Sequence, residues 1–130
     1  MAMEKAKILV LEEELIVGED LSISLREEGY EVVAAVASVD EALLKCHETK
    51  PDVILIDSHL RGFVHGLDAA RRIRSETDAP VIYLTAFPGD PEFSGDLLGG
   101  TTACVTKPLS ITELCGVIDA ALMNRGRRQP

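Results

Sequence analysis

Five short apolar segments alternate with stretches of helical or polar spacing, and this alternation constrains the fold more than any other feature of the chain. The segments are Lys7–Leu11, Glu31–Val36, Val53–Asp57, Val81–Thr85 and Ala103–Thr106. Most are continuous apolar runs too short for a helix. That pattern suits strands covered on both faces.

Most of the intervening stretches carry helical spacing. Val17, Leu21 and Leu25 recur every fourth residue, and Gly29 follows as a C-terminal stop. Val39, Ala42, Leu43 and Cys46 fall at i, i+3, i+4 and i+7, with Ser38 and Glu41 set as a capping box. Leu67, Ala70 and Ile73 share a face in the third helix. Leu114, Val117, Ile118, Ala121 and Leu122 mark the last, where Ser110 and Glu113 form a second capping box. The stretch Pro88 to Gly100 departs from the pattern, with two prolines and four glycines. Its helix, over Pro91–Leu98, is expected to be short or frayed, because glycine inside a helix costs about 1 kcal/mol against alanine. Mobility is expected there.

Strands alternating with helices imply βαβ units and a parallel sheet with right-handed crossovers. Five strands and five helices predict an α/β, three-layer, doubly wound sandwich. The chain of 130 residues is close to the size of one domain. Residues 1–124 read as that domain. Residues 125–130, with Arg125, Arg127 and Arg128, read as a basic tail expected to be disordered.

Composition narrows the function classes. Hydrophobic residues make up 46%, which argues against disorder. The longest apolar run, Val32 to Ala37, is far short of the roughly 20 residues that span a bilayer. The start, Met-Ala-Met-Glu-Lys, has no apolar core of a signal peptide. No membrane contact and a cytoplasmic location are expected. A net charge of −9 opposes broad binding to phosphate backbones, so no nucleic-acid partner is expected. Cys46, Cys104 and Cys115 are odd in number and form no C-x-x-C pair, so reduced thiols are expected.

In open parallel sheets, ligands bind beyond the carboxyl ends of the strands. The first strand ends at Glu12, Glu13 and Glu14, the third at Asp57, the fourth at Thr85 and the fifth at Lys107-Pro108. Each residue has an ordinary reading. A Glu run suits a helix start, an Asp a turn, a Thr an N-cap and a Lys a solvated surface. Taken together at the ends of four strands they say more. Carboxylates gathered at one edge cannot all ionise cheaply without a cation. Mg²⁺ fits best, since it takes one or two carboxylates plus water and phosphate oxygens. Lys107 would add a positive charge and Thr85 a hydroxyl donor. The set suits a phosphoryl group delivered to a carboxylate and then held.

On these residues the chain resembles the receiver domains of two-component response regulators. The resemblance runs from Lys7 to about Met123. It rests on Ile8-Leu9-Val10-Leu11-Glu12-Glu13-Glu14, Pro51-Asp52-Val53-Ile54-Leu55-Ile56-Asp57, Gly66-Leu67-Asp68-Ala69-Ala70, Pro80-Val81-Ile82-Tyr83-Leu84-Thr85-Ala86 and Thr106-Lys107-Pro108. It implies a flavodoxin-like sheet of strand order 2-1-3-4-5. Asp57 would be the phosphoacceptor. Mg²⁺ would be held by Glu13 directly, by Glu12 largely through water, by Asp57 and by the backbone carbonyl of His59. Thr85 and Lys107 would bind phosphoryl oxygens. His59 and Phe87 fall where the family tunes phosphoryl lifetime. The donor would be a histidine kinase or a phosphotransfer protein, and the output a switched protein–protein surface on an unnamed downstream partner. A stand-alone regulator is expected, monomeric or dimerising on phosphorylation, and not an enzyme.

The chain departs from the family in three ways. Both acidic residues are Glu, where the family usually has at least one Asp. Cys104 occupies the family's aromatic switch position. The loop Ser58 to Gly66 is about one residue longer than the common form, and the glycine-rich stretch near the fourth helix is unusual. These departures sustain a second reading, a phosphorylation-impaired module that binds its partner constitutively. A P-loop, a dinucleotide fingerprint and a G-x-S-x-G elbow are all missing. A phosphohydrolase would want D-x-D, but His59 stands at the third place. His59 and His65 lack the spacing of a helical transition-metal site.

Overall fold

The computed structural model describes residues 5–57, 63–85, 103–106 and 110–127, with backbone alone for 57, 63–68, 85, 103, 104, 106 and 125–127. Strands β1 (Lys7–Leu11), β2 (Glu31–Val36), β3 (Val53–Asp57), β4 (Val81–Thr85) and β5 (Ala103–Thr106) form one sheet. All neighbours are parallel, in the order β2-β1-β3-β4-β5. Among the described residues there are four helices: α1 (Leu15–Glu27), α2 (Val39–Thr49), α3 (Phe63–Glu76) and α4 (Ile111–Arg127). The fifth expected helix, Pro91–Leu98, lies outside the described residues.

The strands alternate their apolar side chains between two cores. Leu9, Leu11, Ile54, Ile56, Val81 and Tyr83 meet Ala42, Leu43 and Cys46 of α2 and Ala69, Ala70 and Ile73 of α3. Ile8, Val10, Val53, Leu55, Ile82 and Leu84 meet Leu25 of α1 and Leu114 and Ile118 of α4. Both faces of the central strands are therefore dry, which is why they read as unbroken apolar runs.

Helix ends follow local chemistry. In α4 the capping box is reciprocal: the Glu113 N–H donates to Ser110 Oγ at 3.0 Å, and the Ser110 N–H donates to Glu113 Oε1 at 3.1 Å. In α2 the Glu41 N–H donates to Ser38 Oγ at 3.2 Å, but Glu41 Oε1 accepts from the Ser38 hydroxyl instead of its N–H. Helix α1 closes in a Schellman turn. Gly29, at φ +101°, donates to Arg26 C=O at 3.0 Å, and Tyr30 N–H donates to Leu25 C=O at 3.2 Å.

The structure departs from the sequence reading in three places. The buried line of α1 is Gly18, Ser22 and Leu25, whereas Val17, expected on that face, is 37% exposed. Two small residues let the helix lie close to the sheet, and this rotates Val17 outward. Between β1 and β2 the register slips, with Ile8 opposite Val32 but Leu9 opposite Ala34, so Val33 is an extra residue in β2. Helix α4 runs on to Arg127, into the stretch expected as a disordered tail; residues 128–130 lie outside the described residues.

Candidate functional site

The carboxyl edge of the sheet is where the strand-end residues were expected to meet. Register brings the backbone there together. Leu11 pairs with Ile56, Asp57 with Leu84, and Thr85 with Thr106. Glu12 follows Leu11 as Asp57 follows Ile56, so β1 and β3 end side by side. The next position after β5 is Lys107. Lys107, His59 and Phe87 lie outside the described residues, as do the side chains of Asp57 and Thr85.

Glu12 is the best-defined side chain at this edge. Its N–H donates to Val36 C=O at 2.9 Å and so extends the β1–β2 ladder by one bond. The residue is only 2% exposed, an uncommon state for a glutamate. Oε1 accepts the backbone N–H of Glu14 at 2.9 Å. Glu14 is the N-cap of α1 and makes no side-chain cap bond of its own. Glu13, by contrast, is partly exposed.

Gly18, one turn into α1, covers the stem of Glu12. A Cβ there would lie 3.5 Å from Glu12 Cβ, 3.7 Å from Glu12 Cγ and 3.8 Å from Ala35 Cβ. The sequence reading assigned no role to Gly18 or Ala35. A lone glycine inside a helical pattern was the available signal, since such a residue often has a packing reason.

Donor chemistry at the edge fits a hard cation. Carboxylate oxygens from Glu12, Glu13 and Asp57 are the ligand type that Mg²⁺ takes. Among the described residues no group of three or more His, Cys, Asp or Glu side chains gathers to hold a metal. The expected set draws on the Asp57 side chain and on His59, which fall outside them. Away from this edge, Cys46 and Cys115 are free thiols. Burial pushes both thiols above their ordinary value, with the Glu76 carboxylate adding to the effect at Cys46. No helix among the described residues is long and apolar enough to cross a membrane.

Comparison with known proteins agrees with this architecture. A family model, the response regulator receiver domain, matches residues 8–119. The transcriptional regulatory protein PdtaR of Mycobacterium tuberculosis is 34% identical over 116 residues, covering 89% of this chain and 56% of that protein. The chain spans about half the length of the curated relatives it matches first. Among solved structures, the PhyR receiver domain of Erythrobacter litoralis superposes with a TM-score of 0.76 at 29% identity, covering 93% of this chain and 92% of that one. The chemotaxis protein CheY4 of Vibrio cholerae gives a TM-score of 0.76 at 27% identity, covering 91% and 99%. The five-stranded parallel sheet, the acidic edge after β1 and these matches along nearly the whole chain show that it belongs to the response regulator receiver domain family.

Proposed function

We propose that this chain is a phosphoacceptor switch in which Asp57 receives a phosphoryl group from a histidine kinase or a histidine phosphotransfer protein. The observation that carries this reading is the register at the carboxyl edge, which ends β3 at Asp57 beside the buried Glu12 and ends β4 at Thr85 one strand further on. A carboxylate oxygen of Asp57 attacks phosphorus, a P–O bond forms and the P–N bond to the donor imidazole breaks. Mg²⁺ held by Glu13, Asp57 and the His59 carbonyl, and by Glu12 largely through water, would neutralise charge on the phosphoryl oxygens. Lys107 and the Thr85 hydroxyl bind the oxygens of the aspartyl phosphate. The added charge biases a two-state surface read by a downstream protein. The domain works as a signalling module and turns over no substrate of its own.

Incubation with acetyl phosphate and Mg²⁺, followed by intact mass, tests the reading. The expected result is the added mass of one phosphoryl group on the wild type and none on Asp57→Ala. No added mass on the wild type, or the same mass on the variant, overturns it.

A second reading rests on the Glu-Glu pair and on Cys104, which pairs in register with Tyr83. A metal site whose longer carboxylate stems fit Mg²⁺ badly would leave a constitutive interaction module. Glu13→Asp separates the two: a large gain in phosphorylation shows that the native site is impaired.

A further inference from the structure

Glu12 heads a short chain of hydrogen bonds along the buried side of α1. Its Oε1 accepts from the Glu14 N–H at 2.9 Å. The Glu14 carbonyl accepts from the Gly18 N–H at 3.0 Å. The Gly18 carbonyl accepts from Ser22 Oγ at 2.7 Å. Meanwhile Gly18 and Ala35, both small, leave the space that the Glu12 stem fills. The carboxylate therefore seats the N-cap residue of the helix, and its length matches that task. Aspartate at this position would carry the same charge on a stem one methylene shorter.

The geometry points to Glu12 as a positioning residue for the metal site. By holding the N–H of Glu14, it fixes the backbone on either side of Glu13, which is partly exposed. This role rests on the phosphoacceptor reading only in taking Mg²⁺ as the ion bound there. A residue that acts through such a support typically alters metal affinity by tenfold or more when removed.

The test compares Glu12→Gln, Glu12→Ala and Glu12→Asp by calorimetric titration of the full chain with MgCl₂, alongside amide exchange of Glu14 and Gly18 in metal-free protein. Gln and Ala remove the same charge, but only Gln keeps an oxygen acceptor at the same reach. The expected result is Mg²⁺ binding about tenfold tighter for Gln than for Ala, with Asp weaker than wild type. Amide protection in α1's first turn should be kept in Gln and lost in Ala. Equal Mg²⁺ affinity for Gln and Ala overturns the proposal, even if amide protection differs, because the role would then be structural alone. Asp binding as tightly as wild type also overturns it, as does a wild type that binds no Mg²⁺. If Glu12→Ala does not fold, Glu12→Asp decides: weaker Mg²⁺ binding than wild type is expected, and binding at or above wild type refutes positioning whatever Glu12→Gln does. Phosphorylation of the wild type is read separately by intact mass. Failure there, with the Mg²⁺ ranking as expected, removes the phosphoacceptor reading and leaves the positioning role standing.

Discussion

Gly18→Ala is expected to stabilise the protein, which is not what a buried glycine against a functional carboxylate would first suggest. The backbone at Gly18 is ordinary helix; among the described glycines only Gly29 has positive φ. The new methyl would meet Glu12 Cβ at 3.5 Å, Glu12 Cγ at 3.7 Å and Ala35 Cβ at 3.8 Å, all ordinary contact distances. No neighbour must shift. Alanine in place of glycine inside a helix contributes about 1 kcal/mol. Burying one methyl group adds up to about 0.8 kcal/mol. A net gain of about 1–1.5 kcal/mol is expected after incomplete contact is allowed for. For a chain of this size that raises Tm by roughly 4–6 °C. Urea unfolding followed by circular dichroism measures it, with the m-value unchanged. A loss of about 0.5 kcal/mol or more would refute the packing argument, since losses of that kind come from overpacking. Gly18→Leu, by contrast, forces a large side chain onto Glu12 and should destabilise by about 1–3 kcal/mol.

Four further outcomes follow from local geometry. Gly29→Ala has open space around its Cβ but a φ of +101°, so it should lose about 1–2 kcal/mol from backbone strain alone, measured by the same urea titration. Ser110→Ala breaks the reciprocal cap of α4 and should cost about 1 kcal/mol, read as a lower Tm. The Tyr30 hydroxyl donates to Asp119 Oδ1 at 2.7 Å and tethers the start of β2 to α4; burial first, then Asp119, push its pKa well above the ordinary value. Stability from this tether is therefore complete below the unfolded phenol value of about 10 and falls as pH rises beyond it. Tyr30→Phe should lose about 0.5–1.5 kcal/mol at neutral pH and flatten that alkaline decline, and an unchanged decline would rule out the tether. Cys46 is 6% exposed with a raised thiol pKa, so its alkylation at neutral pH should track global unfolding in denaturant instead of proceeding in the folded state.

Sequence alone determined the parts governed by short-range rules. All five strands stand on the expected residues, most of them continuous apolar runs ended by polar or turn residues. A strand buried on both faces has no choice but to be apolar throughout. Capping pairs such as Ser110 and Glu113 were legible because both partners lie within one turn of each other. That the strands before Glu12 and at Asp57 and Thr85 end along one edge was legible from the backbone pattern, because parallel topology brings carboxyl ends together. Tertiary packing decided the rest. Which face of α1 is buried depended on how closely Gly18 and Ser22 let it approach β2, a distance that no spacing rule contains. The extra residue at Val33 arises from fitting two strands together, and neither strand shows it alone. That Glu12 is buried and seats α1, while its neighbour Glu13 is partly exposed, could not be told from three consecutive glutamates. Their chemistry is identical in the sequence, and only the position of the helix above them distinguishes one from the next.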